Sequence, residues 1–272
     1  MEARVFSRFQ NLAYTHAGIA LKEGKEALVT GRVRKRMEAL GIDNHKGYLD
    51  VLEADPSGLE MLSFLDVIST NFTSFFREPA HFDHLKTHIR GLKAKGQRRF
   101  RIWCAAASSG EEPYTLAMVM NEVLGANGDY KILATDISTS VIEKCKKGVY
   151  SAESVLKIPT TYRSRSFDKE GRGDDASYIV KEELRKHIVF KLLNLNHPPF
   201  PMKGPLDAIF CRNVMIYFDT PVRQRLITDF ERLICPGGLV IVGQSETLTG
   251  VSHGFKTVCP SVYIAPEVKG AS

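Results

Sequence analysis

The sequence predicts an α/β fold with a doubly wound, mainly parallel sheet, preceded by a small all-helical region. From residue 100 onward, short apolar runs typical of strands alternate with amphipathic helical stretches. This alternation is typical of a parallel sheet covered by helices on both faces. Residues 5–65 show only helical spacing, interrupted by turn signals such as Asp55-Pro56-Ser57-Gly58.

The order of the predicted elements divides the chain into three parts. Strands are predicted at residues 100–105, 130–135, 188–193, 206–210 and 239–243, and a closing antiparallel hairpin at 255–258 and 262–265. Helices are predicted at 113–124, after the N-cap Ser138, and from Thr220 to the stop at Pro236-Gly237-Gly238. We therefore expect a helical domain over residues 1–70, a lid segment and helix over 71–98, and the sheet domain over 99–272.

One segment interrupts the alternation between the second and third strands. Residues 150–186 are basic, Gly-rich and polar, with a strand-like run at 177–180. We expect a small antiparallel β-subdomain inserted at about residues 150–187. Such a subdomain would present a sheet edge, and a sheet edge can bind an extended peptide as an added strand.

Composition restricts the class of protein and its partners. The 272 residues have a formal net charge of +6, which favours nucleic acid, a membrane surface or an acidic protein as a partner. The five cysteines are scattered without a C-x-x-C pair, so we expect no disulfide framework, no metal site and a cytoplasmic location. No apolar run is long enough for a membrane span and the N-terminus lacks a signal-peptide pattern, so we expect neither membrane insertion nor secretion.

The segment 101–115, Arg-Ile-Trp-Cys-Ala-Ala-Ala-Ser-Ser-Gly-Glu-Glu-Pro-Tyr-Thr, indicates a cationic ligand. A strand pattern leads into a turn of small residues, which let the backbone approach a ligand closely. Two glutamates follow the turn in place of the lysine of a phosphate-binding loop. S-adenosylmethionine, which has a sulfonium and an ammonium group, fits this pattern.

Acidic side chains follow the first two predicted strands, at the sheet edge where ligands bind in open α/β folds. Glu112 can accept a hydrogen bond from the ammonium group, although a glutamate in a first helical turn also complements the helix dipole. Asp136 is placed to accept both ribose hydroxyls, the alternative being a loop aspartate that caps a helix. We predict Ala105, Glu112 and Asp136 as cofactor contacts.

The ends of the third and fourth strands supply further candidates. After the third strand, the amide of Asn194 can form hydrogen bonds with the edge of an adenine, and Leu195 can pack on the face of that base. Spacing alone, however, favours a purely structural role for this asparagine in a turn. In methyltransferases with this strand order, the end of the fourth strand normally faces the reacting methyl group. Tyr217 follows that strand here, with core packing as the alternative for this ring. The predicted cofactor contacts at these two ends are Asn194, Leu195, Cys211, Arg212 and Asn213.

A polar and aromatic segment at residues 70–79 precedes the sheet region. It predicts a lid in which Asn71, Thr73 and Arg77 reach the cofactor or a substrate carboxylate. The alternative is a loop that buries an aromatic pair.

Taken together, these motifs resemble the chemotaxis-receptor glutamate methyltransferases, the CheR family. The similar segments are Asn-Phe-Thr-Ser-Phe-Phe-Arg-Glu at 71–78, Ala-Ala-Ala-Ser-Ser-Gly-Glu-Glu-Pro-Tyr at 105–114, Ala-Thr-Asp-Ile at 134–137, Phe-Cys-Arg-Asn-Val-Met-Ile-Tyr-Phe at 210–218 and Gly-Gln-Ser-Glu at 243–246. The resemblance covers nearly the whole chain, including the helical region. The insertion matches only loosely.

The resemblance implies a class I methyltransferase fold and methyl transfer from S-adenosylmethionine to receptor glutamates, with S-adenosylhomocysteine as the second product. It implies catalytic roles for Arg77 and Tyr217, and contact of a basic helix with the acidic cytoplasmic helices of methyl-accepting chemotaxis receptors. The basic residues that match this helix are Arg32, Arg34, Lys35 and Arg36. Some members of the family also bind a receptor's C-terminal tail at the β-subdomain. We expect a monomer.

Two other classes of protein remain as alternatives. A nucleic-acid methyltransferase is compatible with the positive charge, but Val214-Met215 stands where base-amine methyltransferases have the two prolines of Asn-Pro-Pro-Tyr. A cofactor-binding sensor without catalysis is disfavoured because both Arg77 and Tyr217 are present.

Overall fold

A computed structural model describes residues 1–69, 72–173 and 176–267. Four helices form the N-terminal part: α1 (Ala3–Ala17), α2 (Glu26–Leu40), α3 (His45–Ala54) and α4 (Leu59–Ile68). Their apolar faces pack into a core of their own, in which the ring of Phe9 lies 5.4 Å from that of Phe64 and 6.1 Å from that of Tyr48. This helical unit agrees with the spacing of apolar residues in the sequence.

The remainder of the chain contains ten strands and seven α-helices among the described residues. The strands are β1 (Arg99–Cys104), β2 (Asp129–Asp136), β3 (Val149–Ser151), β4 (Phe167–Glu170), β5 (Ser177–Val180), β6 (Ile188–Leu192), β7 (Leu206–Cys211), β8 (Ile234–Val242), β9 (Lys256–Cys259) and β10 (Val262–Ile264). The helices are α5 (Ala80–Ala94), α6 (Glu111–Leu124), α7 (Thr139–Lys147), α8 (Ala152–Leu156), α9 (Thr160–Ser166), α10 (Glu182–Arg185) and α11 (Thr220–Leu233).

Seven strands form the main sheet in the order β6-β2-β1-β7-β8-β10-β9. The first five are parallel, and β10 and β9 join as an antiparallel hairpin. At the centre, Cys104 of β1 is in register with Ala134 of β2 and Phe210 of β7. The carboxyl ends of these strands therefore meet at one edge of the sheet. The predicted doubly wound sheet with a closing hairpin is confirmed.

Most strand boundaries lie within one residue of the sequence prediction, but the starts of α6 and β8 differ by more. Helix α6 begins at Glu111 rather than Pro113, which still lies in the first turn where a missing N–H costs no hydrogen bond. Strand β8 begins at Ile234 and includes Pro236-Gly237-Gly238. These residues were expected to separate helix from strand; the chain instead extends directly after α11, with a shift of register against β7.

The predicted insertion is a separate three-stranded antiparallel sheet in the order β3-β5-β4. The strand expected at residues 177–180 is β5, which lies in the middle, so β3 and β4 are its edges. Helix α5 packs against α6 and buries Phe82, Leu85 and Ile89 in the core of the main sheet. Within the described residues, no helix is long and apolar enough to cross a membrane.

Candidate functional site

A cleft lies at the carboxyl ends of the central parallel strands, and the helical region closes one side of it. The helical region contributes Ala17, Ile19 and Ser69 to its wall. The structure also places most of the predicted site residues on this wall, namely Thr73, Arg77, Ala105, Glu112, Asp136, Asn194, Leu195, Arg212, Asn213 and Tyr217. Asn71 lies outside the described residues.

Two predicted residues, Cys211 and Asn194, do not offer a free polar group to the cleft. Cys211 does not line the cleft; its side chain is fully buried in the core beneath it, where burial raises the pKa of the thiol. We therefore leave Cys211 out of the proposed contacts. The amide of Asn194 donates to the backbone oxygen of His16 (2.5 Å) and accepts from the N–H of Asn196 (3.0 Å). It ties the sheet edge to the end of α1 instead of pointing a free amide into the cleft.

The turn after β1 forms the floor of the cleft and depends on one glycine. Ser108 and Gly110 both have left-handed backbone conformations, with φ of 46° and 101°. A Cβ on Gly110 would lie 2.5 Å from the hydroxyl of Tyr150. Only glycine fits here without displacement, because it tolerates both the close contact and the positive φ. This turn leads α6 out of the sheet with Glu112 in its first turn.

Asp136 at the end of β2 is the acidic group on the opposite side of that turn. Its carboxylate accepts the N–H of Ser108 (2.9 Å) and the N–H of Ser138 (3.0 Å). Ser138 caps α7 as the sequence predicted, since its hydroxyl accepts from the N–H of Val141. Burial raises the pKa of Asp136 to about 6, and the two backbone hydrogen bonds counteract part of this effect. The group is thus mostly ionised at pH 7 and can accept hydroxyl donors.

Glu112 lies in a buried ion-pair cluster with Arg212. The Arg212 guanidinium is 1% exposed; its Nη1 donates to Glu112 (2.8 Å) and its Nη2 to Glu78 (3.0 Å). Burial raises the pKa of Glu112, and the charge of Arg212 counteracts this shift. The ring of Phe82 lies under the guanidinium at 5.3 Å, a cation–π contact that helps to hold the side chain in the core.

Glu78 connects three segments around the cleft. Besides Arg212, its carboxylate accepts from the Asn213 amide (3.3 Å) and from the N–H of Gln244 (3.1 Å), which follows β8. Burial opposes the ionisation of Glu78, but hydrogen bonds and charge from Arg212 outweigh it and keep the pKa of Glu78 below its usual value. Nδ1 of His81 lies 3.3 Å from the same carboxylate. Burial and the charge of Arg212 lower the pKa of His81 to about 4, so this ring is neutral at pH 7.

A second carboxylate, Glu246, fixes the loops after β7 and β8. It is buried and accepts from the N–H groups of Asn213 (2.7 Å), Gly243 (2.6 Å) and Ile216 (3.1 Å). Asn213 has a φ of 58°. A Cβ at Gly243 would lie 2.5 Å from the Asn213 side chain, so the two loops can meet only with glycine at this position.

Two aromatic anchors position the segment that contains Thr73 and Arg77. Phe75 packs edge-on against Tyr150 of the β-subdomain, with ring centroids 4.9 Å apart. Phe76 packs against Phe82 of α5 at 5.8 Å. Between these anchors and the cleft, Nη1 of Arg77 donates to the Phe72 carbonyl (2.7 Å) and the guanidinium lies 5.6 Å from that ring. Phe75 is buried and Phe76 is partly buried, so the expected burial of an aromatic pair is met in part, and the lid remains a prediction.

Tyr217 lies where the helical region meets the sheet. It ends a short 3-10 helix, Met215–Tyr217, and its ring packs partly against the core of the helical region. Its carbonyl accepts from the N–H of Ala20 (2.8 Å), and Ile19 bridges to Phe218. This contact brings Ala17 and Ile19 to the cleft. Their contribution was missed from the sequence, because nothing in the local pattern shows which helix end reaches the sheet.

The four basic residues of α2 have different surroundings. Arg36 pairs with Glu60 on α4, with Nε 3.0 Å from the carboxylate, and Arg32 donates to the carbonyl of Ile68. Arg34 is exposed and forms an i,i+4 pair with Glu38 at 2.9 Å, and Lys35 is exposed. Arg32 and Arg36 therefore stabilise the packing of the helices, whereas Arg34 and Lys35 present charge to solvent.

The strand order, the small-residue turn after β1 and the acid at the end of β2 define a class I S-adenosylmethionine-dependent methyltransferase fold. The chain belongs to the CheR methyltransferase family. Residues 71–264 match its SAM binding domain, and residues 4–69 match its all-alpha domain.

Relatives over the full length support this assignment. The chain is 38% identical over 260 residues to the chemotaxis protein methyltransferase of Klebsiella aerogenes, covering 95% of this chain and 88% of the relative. It is 38% identical over 266 residues to that of Salmonella typhimurium, covering 97% and 91%. With that of Borreliella burgdorferi the identity is 36% over 265 residues, covering 94% and 92%.

Proposed function

We propose that this protein transfers a methyl group from S-adenosylmethionine to glutamate side chains of methyl-accepting chemotaxis receptors. The observation that carries the proposal is the cleft itself. Acidic groups at its base, Glu112 and Asp136, suit a cationic nucleoside, and Arg77 and Tyr217 line the same cleft. The membership of the chain in the CheR family supports the choice of receptor glutamates as the acceptor.

In this proposal each part of the cofactor has a partner on the cleft wall. Asp136 accepts the ribose hydroxyls, and Leu195 gives the base an apolar surface. Glu112 accepts from the α-ammonium group and Arg77 pairs with a carboxylate, either that of the cofactor or that of the substrate. Ala105, Thr73, Arg212 and Asn213 complete the wall. The product S-adenosylhomocysteine keeps all of these contacts except those of the methyl group.

The chemistry is an in-line displacement in which a substrate carboxylate oxygen bonds to the methyl carbon as the carbon–sulfur bond breaks. A glutamate with its reference pKa of about 4.3 is already ionised at pH 7, so no strong general base is needed. The site instead aligns the carboxylate with the methyl group and excludes water. The two opposite charges neutralise each other during the reaction, so a pocket of low dielectric does not oppose it. Tyr217 would line the methyl passage.

Receptor contact is proposed on two surfaces. The exposed residues of α2, Arg34 and Lys35, suit the glutamate-rich helices of a receptor. The edge of the small sheet at β4 suits an extended receptor tail. We propose that the protein acts as a monomer on the cytoplasmic part of the receptor, without nucleic acid and without membrane insertion.

Transfer of labelled methyl groups tests this function directly. The protein is incubated with methyl-labelled S-adenosylmethionine and membranes containing the host's receptors, and label released by mild base is counted as methyl ester. A receptor with its methylation-region glutamates replaced by alanine is the matched substrate control. Label on RNA but not on receptor would favour the nucleic-acid alternative, and cofactor binding without transfer to any receptor would favour the sensor.

The affinity for S-adenosylhomocysteine should fall as pH decreases through about 6. The ribose hydroxyls donate to the ionised form of Asp136, whose pKa burial raises to about 6. Protonation below that pH removes the acceptor, so the affinity should approach a tenfold loss per pH unit. Calorimetric titration between pH 5 and 7.5 measures this. Asp136→Asn should bind S-adenosylhomocysteine more weakly at pH 7.5, and its affinity should no longer fall as the pH decreases through about 6. An equal fall in affinity in both proteins would exclude Asp136 as its source.

Reversal of the exposed charges on α2 should weaken receptor recognition without changing cofactor binding. We expect Arg34→Glu with Lys35→Glu to raise the apparent KM for receptor several-fold, and the wild-type KM to rise with salt, because charges are screened beyond about 8–10 Å near physiological ionic strength. Lys146→Glu with Lys147→Glu on α7 is the matched control. Unchanged receptor kinetics in the α2 variant would make these residues a solubility feature only.

A further inference from the structure

Two partly buried carboxylates share one guanidinium beside the cleft. Glu78 and Glu112 are 13% and 11% exposed, and Arg212 between them is 1% exposed. Neutral His81 adds no charge to Glu78. Arg77 approaches Glu78 only at 4.0 Å through Nε, since its Nη1 is bonded to the Phe72 carbonyl. The close cluster therefore has one positive and two negative charges, and Glu112 and Arg212 are its members on the cleft wall.

An unbalanced buried charge is costly unless a partner compensates it. If Arg212 were paired with Glu112 alone, the two charges would cancel and the cleft wall would attract a cation only weakly. Because Glu78 accepts from Nη2 of Arg212, the charge of the guanidinium is shared between two carboxylates, and negative charge remains at the cleft wall. The conformation of Glu78 also favours a specific role: its φ of 56° is rare for a residue other than glycine and indicates a functional or structural constraint.

We propose that Glu78 is a positioning residue that sets the charge of the ammonium-binding part of the cleft through Arg212. Glu78 does not itself line the cleft; it holds the guanidinium and the loop at Asn213 in place and gives the cluster the net negative charge that attracts a cation. This inference rests on the proposed function, because the cation is taken to be the α-ammonium of the cofactor. A purely structural role would instead depend on the hydrogen bonds from Asn213 and Gln244.

Two substitutions separate charge from shape. Glu78→Gln keeps the length of the side chain and one oxygen acceptor but removes the charge, whereas Glu78→Asp keeps the charge on a shorter side chain. A role in setting charge predicts weaker S-adenosylhomocysteine binding by about tenfold in the Gln variant and a smaller loss in the Asp variant. A structural role predicts the opposite order. Thermal unfolding of all three proteins shows whether either variant is destabilised.

A second probe separates this inference from the proposed function. 5′-Methylthioadenosine has the nucleoside and sulfur of the cofactor without the amino-acid group. Wild type and Glu78→Gln should bind it within about twofold of each other, because the lost charge acts on an ammonium that this probe lacks. The role of Glu78 would be overturned if Glu78→Gln bound both probes equally more weakly than the wild type. It would also be overturned if Glu78→Asp bound S-adenosylhomocysteine more weakly than Glu78→Gln. Failure of the wild type to bind either probe would instead overturn the proposed function.

Discussion

Replacement of Arg212 by alanine is expected to lower the free energy of unfolding by about 3–5 kcal/mol. The buried guanidinium is the close counter-charge shared by two partly buried carboxylates, and its removal leaves Glu78 and Glu112 as unpaired ions with little hydration or forces them to be protonated. Equilibrium unfolding in urea at pH 7.5 measures the loss. The difference in free energy of unfolding between wild type and Arg212→Ala should become smaller as pH falls, because protonation of Glu78 and Glu112 removes their unpaired charges.

An exposed ion pair of the same chemistry provides the control. Arg34 pairs with Glu38 at 2.9 Å, but both side chains are largely in solvent. Arg34→Ala should change the free energy of unfolding by only about 0.3–0.5 kcal/mol, since exposed i,i+4 pairs contribute little. If Arg212→Ala were destabilised by no more than Arg34→Ala, the two carboxylates would have to be hydrated or neutral, and the charge cluster would not exist as described.

The sequence predicts well those features that depend on residues close together along the chain. The alternation of strands and helices gives the parallel sheet, and residues at or directly after the strand ends, such as Ala105, Asp136 and Arg212, must meet at one edge. The aromatic residues Phe75 and Phe76 were expected either as a buried pair or within a lid. In the structure Phe75 is buried and Phe76 is partly buried, and the lid remains a prediction.

The features that sequence does not predict depend on partners distant along the chain. Cys211 ends β7 and Arg212 follows it, yet the side chain of Cys211 lies in the core and that of Arg212 points towards Glu112. Nothing local shows that Arg36 pairs with Glu60 or that the amide of Asn194 is bonded to α1. For the same reason the role of Glu78 cannot be inferred from its motif at residues 71–78. Its partners Arg212, Asn213 and Gln244 are distant along the chain and meet it only in the folded protein.

Removal of the Tyr217 hydroxyl or of the Arg77 side chain is expected to lower methyl transfer far more than it lowers stability. Arg77 is proposed to orient a carboxylate, and Tyr217 to shape the methyl passage. Loss of such alignment by about 1 Å can cost a hundredfold in rate. We therefore expect Arg77→Ala and Tyr217→Phe to reduce kcat by about a hundredfold, with melting temperatures near that of the wild type.

Tyr14→Phe is the matched control for the loss of a tyrosine hydroxyl. Tyr14 lies on α1 and donates to Asp219 (2.8 Å), outside the cleft wall, so its replacement should leave kcat within about twofold of the wild type. Initial rates on receptor membranes at saturating cofactor, with the unfolding temperature of each variant, separate chemistry from folding. Wild-type rates in both cleft variants would show that the reacting centre lies elsewhere. Activity lost only in step with unfolding would assign Arg77 and Tyr217 to packing, because a group that aligns the carboxylate must affect rate in a folded enzyme.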